Sequence, residues 1–192
     1  MVYKKRNKRV SKKKQTKSKS NKKRVRRTIK KGGGYLCPSL NDPHLDISRS
    51  DITAINYGDI NNCLFLQTIT LPKSLTSIGE KAFLGCTALT QINIPNGVTT
   101  IGNEAFLNCT SLQSVTLPNE ITTIGEKAFL NCISLQSVTL PNGITEIGEK
   151  AFLNCSNLSI ENIYVLRGKK IGSNAFKNTP LKDKIEIIET TE

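Results

Sequence analysis

The sequence predicts a repeat solenoid, a short stack of near-identical coils with a basic arm in front of it. Three observations carry that expectation. The nonapeptide IGEKAFLNC at 124–132 returns unchanged at 147–155, and weaker copies stand at 78–86 and 101–109. Cys86, Cys109, Cys132 and Cys155 fall 23 residues apart. Leu66-x-x-Ile69-x-Leu71-Pro72 recurs in the same register as Leu89-x-x-Ile92-x-Ile94-Pro95, Leu112-x-x-Val115-x-Leu117-Pro118 and Leu135-x-x-Val138-x-Leu140-Pro141. Self-similarity at roughly 20 to 30 residues marks units that cannot bury an apolar face alone, so stacking has to build the core.

The arm comes first. Residues 1–31 hold 17 of the 28 Lys and Arg and none of the 15 Asp and Glu, so residues 32–192 carry 11 basic against 15 acidic groups, a formal net charge of −4. With so few apolar residues the arm cannot offset its ordering entropy, and residues 1–34, including the joint at Gly32, Gly33 and Gly34, are expected to be disordered. Lys4, Lys5, Arg6, Lys8, Arg9, Lys12, Lys13, Lys14, Lys22, Lys23, Arg24, Arg26, Arg27, Lys30 and Lys31 are the candidate contacts to nucleic acid or another polyanion, or a nuclear address. A solubilising tail is the bland alternative. Lys dominates and no apolar stripe appears, which is unlike a mitochondrial leader, and no apolar signal region follows. The chain is therefore expected inside a cell, not secreted, in the nucleus or a virion, with no membrane span.

After a lead-in at 35–51, the solenoid is expected over 52–192 as about five coils. Period-2 segments such as Val115-Thr116-Leu117 read as short strands with aliphatic side chains inward. Pro ends each strand, and Leu-Pro-Asn-Gly at 140–143 fits a type I turn; Glu120 at the Gly position of another copy means that positive φ is not required there. Ile121 and Ile124 supply a second inward pair, Gly125 a tight corner, and Ala128-Phe129 returns the chain across the core. Phe83, Phe106, Phe129, Phe152 and Phe176 should stack through the interior at about the strand spacing of ~4.8 Å. Ile52–Asn56 with Asn62-Cys63 forms a worn first repeat, with Ile60 at the Phe position. Ile171–Thr179 keeps the motif after a one-residue insertion, with Thr replacing Cys. Atypical ends are expected where a coil has only one neighbour.

Cys63, Cys86, Cys109, Cys132 and Cys155 share one structural address and are expected to be buried free thiols. A zinc site wants paired ligands, and the chain has no C-x2-C pair and a single histidine, His44, so no metal is expected. A cysteine nucleophile has no base in sight. Coil spacing does not exclude disulfides, but parallel inward side chains and a reducing compartment count against them. Cys37 lies outside the cysteine register and its exposure is left open.

The coil L-x-x-I-x-L-P-x-x-I-T-x-I-G-x-x-A-F-x-x-C resembles the BspA-type leucine-rich repeat over roughly residues 52–181. The resemblance implies an α/β-type, right-handed solenoid with a strand-lined concave face, and a role in binding proteins or surfaces rather than in catalysis. Glu120 and Gly143 stand where the commonest repeat form carries Asn or Cys, so no asparagine ladder is expected. The Lys-rich start is similar in composition to the N-termini of some proteins of large DNA viruses.

On the strand face, Thr68, Thr70, Gln91, Asn93, Ser114, Thr116, Ser137 and Thr139 should point outward as an uncharged hydroxyl and amide array, the candidate protein-binding face. It lacks the Trp, Tyr and Arg anchors of binding hot spots. Glu80, Asn103, Glu126 and Glu149, beside Lys81, Glu104, Lys127 and Lys150, should form a solvated charged column. The expected function is that of a non-enzymatic interaction protein without cofactor, whose solenoid binds a protein partner and whose arm takes it to nucleic acid or the nucleus. The alternative is a packaging protein that neutralises nucleic acid with the arm and self-associates through the solenoid.

Overall fold

The structure is a computed structural model that describes Cys37, residues 43–57, 59–181 and 183–185. The arm expected at 1–34 and its candidate basic contacts lie outside the described residues. Each coil but the sixth contributes one strand to each of two parallel sheets. Strands β1 His44–Asp46, β3 Thr68–Thr70, β5 Gln91–Asn93, β7 Ser114–Thr116 and β9 Ser137–Val138 form the first sheet, in the order β1-β3-β5-β7-β9. Strands β2 Ala54–Ile55, β4 Ser77–Ile78, β6 Thr100–Ile101, β8 Thr123–Ile124, β10 Glu146–Ile147 and β11 Lys170–Ile171 form the second, in the order β11-β10-β8-β6-β4-β2. Pairing follows the repeat, with Gln91 opposite Ser114 and Ile101 opposite Ile124.

Two expectations change here. Among the described residues, helix is confined to the 3₁₀ turn Ile163–Leu166 and one turn at 183–185, so the coil is all-β rather than α/β-type. Two strands, two corners and a return leg use up 23 residues and leave none for a helix. The first sheet also starts earlier than the cysteine period suggests, because His44–Asp46, within the expected lead-in, pairs with β3 as His44 opposite Thr68 and Asp46 opposite Thr70.

The core sits between the sheets and the return leg. Every aromatic ring in the stack lies near-parallel to the next: Phe83–Phe106, Phe106–Phe129, Phe129–Phe152 and Phe152–Phe176 centroids are 5.0, 5.1, 5.1 and 5.3 Å apart, with interplanar angles of 10° or less. Ile60 begins the column in place of Phe and is fully buried. The return leg carries a third ladder. Lys81, Phe83 and Gly85 donate backbone N–H groups to Asn103, Ala105 and Leu107 of the following coil, while Ala82, Leu84 and Cys86 donate three residues back within their own coil. The corner glycines that follow the second-sheet strands point the other way: Gly79 and Gly102 donate to Ile55 and Ile78 of the preceding coil.

That alternation requires two left-handed residues per coil. The first is Lys81, Glu104, Lys127, Lys150 or Asn174, at φ between 53° and 57°. The second is Asn62, Gly85, Asn108, Asn131, Asn154 or Asn178, at φ between 55° and 70°. Asn and Gly reach this region readily, whereas Lys and Glu there cost roughly 1–2 kcal/mol each. The corner glycine has a different purpose from the one expected. Gly125 and Gly148 do not take positive φ; a Cβ on Gly125 would stand 2.5 Å from Asn103 Oδ1 and 2.7 Å from Asn103 N, so glycine lets successive backbones touch. At the strand-ending turn, Gly97, the fourth residue, does use positive φ, at 99°, and Gly143 does not.

The coils end in distinct ways. In the sixth coil the chain leaves the first sheet after a single bridge from Ser137 to Ser159. Asn162 takes over from the missing strand, its side-chain amide donating to Leu140 O while its Oδ1 accepts Leu140 N–H at 3.2 Å. Beyond it Ile163, Leu166, Leu181 and Ile185 are buried against the last coil.

Truncating the central ring, Phe129→Ala, should cost about 3–5 kcal/mol, the usual loss for a buried aromatic. Thermal unfolding checks this, and a midpoint unchanged from wild type would sink the stacked core. The two kinds of glycine should separate on alanine substitution. Gly148→Ala places a Cβ 2.5 Å from Glu126 N and should destabilise by about 1–3 kcal/mol or more. Gly143→Ala meets only Asn119 O at 3.5 Å and should stabilise by about 0.4–1 kcal/mol through the unfolded state. Denaturant midpoints of the two variants moving in the same direction would refute the distinction.

Candidate binding face

The first sheet presents the candidate face as expected by position. Ile69, Ile92, Val115 and Val138 point inward and are buried, while their neighbours point out. Thr70, Gln91, Asn93, Thr116, Ser137 and Thr139 are exposed, and Thr68 and Ser114 are half-buried. Thr139 falls just past β9, because the next coil offers no strand to extend the ladder. The structure adds His44 and Asp46 to this face, on β1, where His44 Nδ1 lies 2.6 Å from Thr68 Oγ1. Little in the repeat pattern marks them, since the offset from His44 to Thr68 is 24 residues rather than 23.

Asp46 sits at the end of the face where other charges gather. Hydrogen bonds from Ser48, side chain first and then backbone, hold its carboxyl below the usual carboxylate range, and Arg49 adds to the effect. Beside it an open notch of about 580 Å³ is lined by Ser48, Arg49, Ser50, Thr70, Lys73 and Ser74 among others. Its serines are already committed as donors: Ser50 Oγ to Ile47 O and Ser74 Oγ to Ile52 O, both at 2.8 Å. The cationic groups of Arg49 and Lys73 are what the notch has to offer a ligand. The face is thus charged at the β1 end and uncharged toward β9.

The charged column at the opposite corner forms as expected. Lys81 meets Glu80 at 2.7 Å and Glu104 at 3.7 Å, Lys127 meets Glu126 at 2.5 Å, and Lys150 pairs with Glu149. The hydrogen bond that Lys127 donates to Glu126 pushes its ammonium up, with Glu104 and Glu149 of the adjoining coils adding to it. All of these groups face solvent, where such pairs contribute little to stability.

An asparagine ladder is present, against expectation, but not at the strand-ending turn where its absence was predicted. It runs along the residues preceding Cys109, Cys132, Cys155 and Thr179. Asn131 donates to Asn108, Asn154 to Asn131 and Asn178 to Asn154, at 2.8, 2.7 and 2.7 Å. Asn is the side chain that suits this left-handed column, and each amide both donates and accepts.

The cysteines divide. Cys86, Cys109, Cys132 and Cys155 are free and fully buried, as expected. Each is more than a small apolar filler: its thiol donates to the backbone carbonyl 26 residues earlier, Ile60, Phe83, Phe106 or Phe129, at 3.1–3.2 Å. Cys63 is the correction. It is not a free thiol but is joined to Cys37, with the Cα atoms 5.0 Å apart. It stands in the column of the other four, but among the described residues no coil precedes it, and Cys37, 26 residues earlier, meets it there. No group of three or more metal-ligating side chains occurs among the described residues.

Residues 53–182 match the family described as BspA type Leucine rich repeat region, in six copies. The fold is similar to that of a leucine-rich repeat protein of T. pallidum, at a TM-score of 0.61 and 26% identity over 78% of this chain and 86% of that one. It is also similar to the pneumococcal vaccine antigen PcpA, at a TM-score of 0.53 and 24% identity over 62% of this chain and 30% of that one, a likeness of fold alone. No curated protein matches the sequence. Among the described residues no helix is long and apolar enough to cross a membrane.

Burial pushes the thiols of Cys86 and Cys155 up to about 12, and those of Cys109 and Cys132 well above the ordinary range. The folded chain therefore keeps protons that the unfolded chain gives up near pH ~8.5. The thiol contribution is whole below that pH and is lost as pH rises toward 12, by up to about 1.4 kcal/mol per unit for each thiol. Urea titrations at pH 7 and pH 10 should show a loss of stability that shrinks in Cys109→Ala/Cys132→Ala. An equal loss in that variant would place the alkaline sensitivity elsewhere.

Proposed function

The chain belongs to the BspA-type leucine-rich repeat family, and from that membership we propose that its solenoid binds a protein partner through the first sheet while the basic arm carries it to nucleic acid or the nucleus. The fold is commonly a protein-interaction scaffold, and such repeats are generally not enzymes. The observation that supports the face is the register of β3, β5, β7 and β9. It fixes an uncharged array of hydroxyls and amides over a fully packed interior, so the side chains are preorganised while the backbone beneath them stays rigid. The charged end, with Asp46, Arg49 and Lys73, gives a partner a polarity to read. The arm's support is its charge: 17 cations without an acidic residue, against −4 for the remainder.

The self-associating alternative has less behind it. Asn162 occupies the backbone of Leu140 that a second copy would need in order to continue the first sheet, and β1 offers an edge of only three residues. Sedimentation separates the readings, since a packaging protein has to self-associate at modest concentration.

Deleting residues 1–31 should abolish retardation of DNA or RNA in a gel and nuclear accumulation of a tagged chain. In the full chain, about six to ten phosphate contacts would make affinity fall by roughly 10³–10⁵ between about 50 and 200 mM salt. Nucleic-acid binding retained by the truncated chain would move that site onto the solenoid. For the face, Gln91→Lys/Thr116→Lys should remove partners captured by the wild type from its native host while leaving the thermal midpoint in place. An unchanged set of captured proteins would refute the assignment of the face.

A further inference from the structure

The six cysteines form two chemically distinct sets. Four are enclosed thiols, each donating to a carbonyl 26 residues earlier. Cys63 stands in their column, and the residue 26 before it is Cys37, one period before the Ile60 that opens the Phe column. Cys37 thus reaches the place from which a preceding coil would have supplied a carbonyl, and supplies a sulfur. Of that pair Cys63 is 2% exposed, while Cys37 is open to solvent.

We propose that Cys37–Cys63 is a reversible thiol–disulfide exchange site, attacked at Cys37 by a low-molecular-weight thiol of the glutathione class, and that its state decides how firmly β1 is held on the first coil. The incoming thiolate attacks Cys37 Sγ, the sulfur of the exposed residue of the pair. The Cys37–Cys63 bond breaks, a mixed disulfide forms on Cys37, and Cys63 leaves as a thiolate that takes a proton from water. A second thiolate attacks the sulfur of the bound small thiol, releasing its symmetrical disulfide, and the Cys37 thiolate is protonated. Two small thiols are oxidised by two electrons in all, and the cystine is reduced by two. The symmetrical disulfide drives the reverse reaction.

Both states have a place in the fold. Reduced Cys37 keeps a thiol acceptor within reach, since its Sγ lies 4.0 Å from Asn61 O. Reduced Cys63 joins a column in which four identical thiols are already satisfied. Cys63 is a reluctant leaving group, because burial works against the thiolate it becomes. Exchange with a small thiol should accordingly be slow, and the bond should persist under mild reduction.

The consequence falls on β1. It is an edge strand of three residues with a single neighbour, held through its pairing with β3 and through Gln67 N–H to Pro43 O and Ile47 N–H to Thr70 O. The disulfide adds a covalent tie just ahead of it and closes a loop that contains both β1 and β2. β1 brings His44 and Asp46 to the first-sheet face, and the turn after it walls the notch beside Thr70 and Lys73. The exchange chemistry stands independently of what that face binds.

The test takes the full chain to equilibrium in glutathione buffers running from excess disulfide to excess thiol, followed by quenching with iodoacetamide in denaturant. The expected result is a single two-electron transition in which Cys37 and Cys63 alone change, between four and six alkylated thiols. Amide exchange at Leu45 and Ile47 should rise by about tenfold or more in the reduced form and in Cys37→Ser, with Ile101 and Ile124 unchanged. Six alkylated thiols in every buffer would overturn the site, and equal protection of β1 in both states would overturn its coupling to the strand. Cys37→Ser keeps the second measurement decisive even if Cys63→Ser fails to fold, since Cys37 is exposed.

Discussion

The spacing between coils is the constraint on which the rest of this structure depends. Backbone hydrogen bonds join every coil to its neighbours along three ladders, two made by strands and one by the return leg. They hold the Phe rings 5.0–5.3 Å apart, close to the ~4.8 Å of an ordinary sheet. Whatever stands at a given position in one coil must then tolerate its own likeness one strand spacing away. Glycine at the corner satisfies that limit by having no side chain, phenylalanine by lying flat on the next ring, asparagine by donating and accepting at once, and cysteine by giving its one proton to a carbonyl.

The opposed direction of the ladders explains the backbone strain. At the corners after the second-sheet strands, the glycine N–H groups point toward the preceding coil, whereas the return-leg N–H groups point toward the following one. Turning alternate peptides to achieve this requires left-handed residues, and the column at Lys81, Glu104, Lys127 and Lys150 bears them without the relief of glycine. The three lysines pair with glutamates of their own coils and Lys81 also with Glu104 of the next, so the strained column is also the charged one. Solvent screening keeps these pairs weak, and the strain is offset mainly by the hydrogen bonds that it permits.

A solenoid has two ends at which the repeat cannot satisfy itself, and this chain treats them differently. At the far end Asn162 imitates a strand with its amide, and apolar residues from 163 to 185 cover the last coil. At the near end an extra strand and a disulfide take over from the missing coil. Charge follows the same asymmetry: Asp46, Arg49 and Lys73 lie at the near end of the first sheet.

By itself the sequence determined the period, the inward side chains, the stacked rings, the buried thiols from Cys86 to Cys155 and the outward array from Thr68 to Thr139. Each of these depends on a residue's neighbours one period away, and the neighbours are printed in the repeat. The tertiary structure alone decided what depends on direction and on departures from the period. The left-handed turns at Lys and Glu carry no compositional mark, because neither residue favours that conformation. The asparagine ladder sits where the residue type suits the backbone rather than where the commonest repeat form puts it. β1 escaped because its offset is 24 residues, and Cys37 because it keeps the Phe register instead of the cysteine register, a signal that was legible once Ile60 had been placed in that column. Which sulfur lies beside which carbonyl is fixed by the path of the chain around the coil, and that path is a property of the stacked structure.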